Sequence, residues 1–182
     1  MSRVLLGLVA LLVALPAVAQ EGVFLTEADA PRAVFPDADR VTPVEVEVTD
    51  ALRARVAARL DGHAPSLWED RYPVFRAERA GTILGHALVV EEIGKHRPIT
   101  FVVGVRPDGS VADVAVMAYR EAYGGEVRSA RFLVQYRGRS AADPVRPYHE
   151  IKNVAGATLS VEAASRAVKK AQALAAALEL VR

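Results

Sequence analysis

Residues 98–119, PITFVVGVRPDGSVADVAVMAY, decide the architecture. Ile99 to Val105 is a run of β-branched and aromatic side chains and reads as a buried strand. Arg106-Pro107-Asp108-Gly109-Ser110 follows, a strong hairpin signal in which Asp-Gly supplies the positive φ angles of a tight turn. Val111 to Tyr119 then alternates and completes an antiparallel pair. Upstream, Tyr72 to Glu78 and Thr82 to Glu91 read as neighbouring strands turning at Ala80-Gly81. Gly85 and Ala87 are small positions that imply close approach by another backbone or a ligand. Glu91 to Pro98 is a polar loop. Downstream, the chain from Val161 onward is rich in Ala and Leu and free of Gly and Pro, which predicts a long helix. The expected class is α+β: a curved antiparallel sheet packed by helices in a single domain.

The chemistry lies where that helix begins, in Ile151-Lys152-Asn153-Val154-Ala155-Gly156-Ala157-Thr158-Leu159-Ser160. Ser160 or Thr158 fits the N-cap, where a hydroxyl accepts from an unpaired first-turn N–H. Gly156, Ala157 and Thr158, followed by Leu159 and Ser160, then sit at the positive end of the helix. Small side chains admit a ligand, free N–H groups face it, and a hydroxyl points the same way, which makes a phosphate seat. On these residues alone a simple turn and cap is the commoner meaning.

A second stretch, Tyr119-Arg120-Glu121-Ala122-Tyr123-Gly124-Gly125-Glu126-Val127-Arg128, follows the hairpin directly. Adjacent glycines let the backbone curl tightly, with N–H groups free to face a ring or a phosphate. Val127 to Tyr136 reads as helical and carries Arg128 and Arg131, with Arg137 just beyond; the planar guanidinium makes two hydrogen bonds to phosphate at once.

Gly156-Ala157-Thr158-Leu159-Ser160 before an Ala-rich helix resembles the flavin-attachment motif of the FMN-binding domain family, Asp-x-x-Ser/Thr-Gly-Ala-Thr. The family includes the FMN-carrying subunits of the sodium-pumping NADH:quinone reductase and of the Rnf complex. The resemblance implies that Thr158 is joined through its hydroxyl to the phosphate of FMN by a dedicated flavin transferase. Two positions depart from the motif: Lys152 stands where the family has Asp, and Ala155 where it has Ser or Thr. The 119–128 block, with Arg131-Phe132 and Gln135-Tyr136, is similar to a block of soluble, exported members, and Gly94-Lys95 before Ile99 also fits them. Together these matches span roughly Val23 to the C-terminus. They imply FMN contacts from Thr158, Ala157, Gly156, Leu159, Ser160, Tyr119, Arg120, Glu121, Gly124, Gly125, Glu126, Arg128 and Lys95. Tyr119, Tyr123 and Phe132 are candidates to flank the isoalloxazine ring, although Phe132 has helical spacing that suits the core. Lys95 and His96 fit either a cationic pair near the flavin or a solvated loop tip.

The 182 residues hold 23 basic and 22 acidic side chains and no cysteine, which excludes disulfides and thiolate metal sites. Four histidines without ligand spacing argue against a structural metal. Met1 to Ala19 reads as a secretory signal: Arg3, an apolar run from Val4 to Leu15, then small residues before the cleavage point. An uncleaved N-terminal anchor is the alternative. Removal of that segment takes Arg3 alone and leaves balanced charge, which argues against nucleic acid as a partner. The expected organisation is a signal at 1–19, an N-terminal helical extension at 20–70 and an FMN-binding domain at 71–182. Within the extension, Phe24 to Ala28 reads as a helix start capped by Thr26 and ended by Pro31, Val44 to Val48 as a strand or extended arm, and Thr49-Asp50 as the start of a helix that Gly62 ends. Neither an acid–base pair, a nucleophilic triad nor a G-x-G-x-x-G fingerprint is present. The expectation is an exported electron carrier that meets a redox partner or a membrane electron-transport complex. The alternative is an exported binding or assembly module with noncovalent flavin or none.

Overall fold

The structure, a computed structural model, describes residues 22–60 and 62–181. The expected signal segment lies outside the described residues. Six strands, β1 (Gly22–Val23), β2 (Arg40–Val44), β3 (Val74–Arg79), β4 (Thr82–Ile93), β5 (Pro98–Val105) and β6 (Val111–Tyr119), form one antiparallel sheet in the order β1-β6-β5-β4-β3-β2. The sheet curls into a half-barrel, and with its helices gives the α+β class. Among the described residues no helix is long and apolar enough to cross a membrane.

The concave face is filled by α4 (Thr158–Ala177), with α2 (Asp50–Ala57) packed against it. Alanines at 163, 164, 167 and 171 are fully buried, and their small side chains let the helix lie close on Leu88, Val90, Phe101 and Val103. The convex face is covered by α1 (Ala30–Val34) and Phe35, which pack on Ala77, Ala87, Val102 and Ala112.

A bulge sets the orientation of the site. Thr100 pairs with Ala118 but Phe101 with Val116, so Met117 is an extra residue on β6. The pleat therefore skips one position. Val116 and Tyr119 both join the concave core, while Met117 turns to the convex side. Gly85 lies beside another shift, where Ala77 pairs with Gly85 and Glu78 with Ile83. A Cβ there would fall 2.3 Å from the Val105 carbonyl oxygen and 2.7 Å from the Phe35 ring, so the close approach is made by backbone and ring.

Several local expectations need correction. The first helix does not start at Thr26 and end at Pro31; it is Ala30–Val34, with Pro31 in its first turn, where a fixed φ and a missing N–H cost nothing. Thr26 instead closes a turn with Asp29, donating to Oδ2 at 2.6 Å and accepting from the amide at 3.3 Å. The second strand is Arg40–Val44 rather than Val44–Val48, and Pro43 is tolerated because β2 is an edge strand. Thr49 does cap α2, accepting from Leu52 N at 3.1 Å, but that helix ends at Ala57, ahead of Gly62. The hairpin between β5 and β6 is a five-residue loop in which only Gly109 has positive φ, +80°, closed by Arg106 N to Ser110 O at 2.8 Å. Val127 to Tyr136 is not one helix. It breaks into a 3₁₀ turn (Gly125–Arg128), α3 (Ala130–Leu133) and a second 3₁₀ turn (Val134–Tyr136), because Ser129 is extended and caps α3.

Candidate functional site

Helix α4 begins at Thr158, three residues before Val161, and neither expected hydroxyl caps it. Its N-cap is Ala157, without a side-chain hydrogen bond. Ser160 Oγ lies 2.9 Å from Tyr119 Oη, and Thr158 Oγ1 lies 2.8 Å from Tyr148 Oη and accepts from Asn153 Nδ2 at 3.1 Å. Both hydroxyls are therefore spent on other side chains. The first-turn N–H groups of a 20-residue helix are left without a side-chain acceptor, at the positive end of its dipole. Gly156, at φ +78°, turns the chain into this helix.

Beside the helix start is a cleft of about 450 Å³. Gly156 to Ser160 form one wall; Lys95, His96 and Glu121 to Tyr123 form the other. Tyr119 lies behind the wall, fully buried. Its single hydroxyl hydrogen goes to the Tyr123 carbonyl, so Ser160 donates to Tyr119 Oη. Burial raises the phenol above its ordinary pKa and keeps it neutral. Gly124 closes this corner at φ +83°; a Cβ there would stand 2.9 Å from Tyr119 Oη and 3.0 Å from Ser160 Oγ. The two-glycine bend thus packs directly on the first turn of α4.

Glu121 holds the opposite wall. Its Oε1 accepts from the backbone of His96 at 2.5 Å and Arg97 at 2.9 Å, and Gly94 lacks the side chain that would collide with it. Burial pushes this carboxyl up, but the N–H groups of Arg97, His96 and Lys95 outweigh that and hold it below the usual carboxylate range. A buried anion consequently fixes the loop that carries Lys95 and His96 over the cleft.

The structure brings together Lys95, Glu121 and the whole of Gly156–Ser160 on the cleft, with Tyr119 and Gly124 directly behind them. Gly125 is buried in the adjoining turn. Other sequence candidates lie elsewhere. The Arg120 guanidinium crosses to the convex side, donating to the Pro98 carbonyl at 3.1 Å and to Thr100 Oγ1 at 3.0 Å. Arg128 lies over the Phe24 ring at 4.2 Å and donates to Gly125 O at 3.1 Å. Glu126 lines a second cleft of about 370 Å³ with Arg131, Lys152 and Asn153. Arg137 pairs with Asp113. Of the three aromatic candidates, Tyr123 is exposed on the cleft rim and Phe132 is in the core. Tyr148 and Asn153, which hold the Thr158 hydroxyl, were not among the sequence candidates. Asn153 could have been suspected from its place in the same turn, whereas Tyr148 sits in a loop without pattern.

These features suit a phosphate-bearing flat cofactor. Uncapped helical N–H groups, Lys95 and His96 favour a dianion. Leu159 and Tyr123 offer exposed apolar surface to a ring, and the volume lies in the roughly 300–1,000 Å³ range of cofactor sites.

Comparison with known proteins agrees. Residues 94–173 match the model of the FMN-binding domain, a stretch that runs from Gly94 through β5, β6 and the two-glycine bend into α4. It contains every wall of the cleft. A search of curated proteins gives no match. Residues 94–173 therefore form an FMN-binding domain, and FMN is the cofactor of that domain.

Proposed function

We propose that this chain is an exported flavoprotein that carries FMN as a phosphoester on Thr158 and relays electrons between partners. The observation that carries the reading is the place of Thr158: its hydroxyl stands at the positive end of α4, on the rim of a cleft large enough for a cofactor. In this reading the N–H groups of Thr158, Leu159 and Ser160 donate to phosphate oxygens, Lys95 offsets the phosphate charge, and His96 lines the same wall. Leu159 and Tyr123 contact the ring and keep water from one of its faces. Tyr119, Gly124 and Glu121 hold these groups in place without touching the cofactor. Bound FMN supplies the redox chemistry, and the protein sets its orientation and surroundings. A flavin transferase makes the linkage after export, and a redox protein or a membrane electron-transport complex exchanges the electrons.

A second reading rests on Lys152 and Ala155. Lys152 is exposed and lines the second cleft, and its charge is opposite to that of the motif's Asp. A module that binds FMN noncovalently, or serves assembly without flavin, follows if the transferase requires that Asp.

The test is denaturation of the chain produced with the transferase. Flavin that stays attached in the wild type and is absent in Thr158→Ala supports the carrier. Flavin released from the wild type supports the noncovalent module, and absence of any flavin supports the assembly role.

A further inference from the structure

The geometry around Thr158 points to two residues that make its hydroxyl reactive. We propose that Tyr148, assisted by Asn153, positions Thr158 Oγ1 for phosphoester formation, an inference that rests on Thr158 being the attachment residue. Tyr148 is 66 % exposed and has φ +66°, a conformation that bulky side chains rarely adopt. Core packing does not account for this strain. The loop that imposes it is clipped shut: the Arg146 guanidinium bonds the Glu150 carboxylate at 2.6 and 3.2 Å, and Tyr148 N donates to Ile151 O at 3.0 Å. What the strained conformation achieves is contact between Tyr148 Oη and Thr158 Oγ1, at 2.8 Å. Strain retained where packing does not require it is a mark of a functional position.

A threonine hydroxyl has one hydrogen and two lone pairs. Asn153 Nδ2 donates to one lone pair at 3.1 Å. In the proposed arrangement the hydrogen goes to Tyr148 Oη, which leaves the second lone pair free for the incoming phosphorus. In the transfer, the Thr158 Oγ1–P bond forms as a P–O bond breaks in a flavin-bearing phosphoanhydride presented by the transferase. The departing phosphate keeps the electron pair of the broken bond. The threonine proton passes through the Tyr148 hydroxyl to water, and nothing is oxidised or reduced. Once the ester has formed, Thr158 has no hydrogen to give, and Tyr148 turns donor towards the new phosphate.

Tyr148→Phe keeps the ring and loop and removes only the hydroxyl. The purified chain is incubated with flavin transferase and its flavin dinucleotide substrate, and intact mass is followed with time. Labelling of Tyr148→Phe is expected to show kcat lowered about tenfold, the worth of one hydrogen bond. KM for the chain and the melting temperature should match the wild type, and Asn153→Ala should lower kcat in the same direction. A Tyr148→Phe chain labelled at the wild-type rate overturns the inference and leaves Thr158 as the attachment residue. A change confined to KM also overturns it, since that marks a docking contact. A wild-type chain that takes no label, or a Thr158→Ala chain that does, overturns both the inference and the function beneath it.

Discussion

Glu121 shows how a single buried charge shapes the cleft. Its carboxylate is satisfied by backbone donors rather than by a cation, so neutralising it turns two charge-assisted hydrogen bonds from the N–H groups of His96 and Arg97 into weaker ones to a neutral oxygen. Glu121→Gln is expected to cost about 1–3 kcal/mol at pH 7, read from urea midpoints. The pH dependence has a definite sign. The folded-state pKa is depressed, so this stabilisation is complete above the ordinary carboxyl value of about 4.3 and is lost as pH falls through the lower folded value. The gap between wild type and Glu121→Gln should therefore narrow below about pH 4; a gap that stays constant into acid would contradict the role given to the carboxylate. Gly124 is the other decisive residue. Gly124→Ala adds a Cβ where Tyr119, Ser160 and Ala157 already crowd, at a positive φ that itself costs about 1–2 kcal/mol. The variant should melt earlier and bind FMN more weakly, by fluorescence titration; unaltered binding would separate the bend from the site.

At the scale of elements, α4 serves both core and site, and it is anchored far from its N-terminus. Lys170 is fully buried. Its Nζ donates to Glu91 O at 2.6 Å and Leu67 O at 3.1 Å, and lies 3.0 Å from Glu69 and 2.9 Å from Glu92. Glu92 is buried too and also receives Arg166 and Ser66. Lys170→Met leaves these carboxylates without their shared cation, and a loss of about 3–5 kcal/mol in chemical denaturation is expected. A loss below about 1 kcal/mol, the usual worth of a surface pair, would show that the network is not effectively buried. The strands β3 to β6 were legible because alternation and turn residues are local signals. Helix α4 was legible from composition, but its start was not, since Thr158 and Ser160 look like caps until tertiary partners claim their hydroxyls. Nothing in Val-Ala-Val-Met-Ala-Tyr marks Met117 as the extra residue that sends Tyr119 inward and Arg120 outward. The carbonyls and carboxylates that bury Lys169 and Lys170 likewise come from distant segments, so no local pattern marks these lysines as buried.

In the molecule as a whole, the half-barrel and its central helix form a packed frame, and the candidate cleft lies at one end of that helix. The Gly-Ala-Thr turn was readable as a phosphate seat because helix polarity and small residues act locally. Tyr148 was not, because its link to Thr158 exists only after the 146–151 loop folds back on the helix. The frame gives Thr158 what the proposed attachment requires: the dipole of α4, a cleft, and two side chains that hydrogen-bond its oxygen. Intact mass of the denatured chain, produced with a flavin transferase, tests this most directly. The account predicts one FMN retained per chain and none on Thr158→Ala; a wild-type chain that carries no bound flavin after denaturation, or a Thr158→Ala chain that still does, would contradict it.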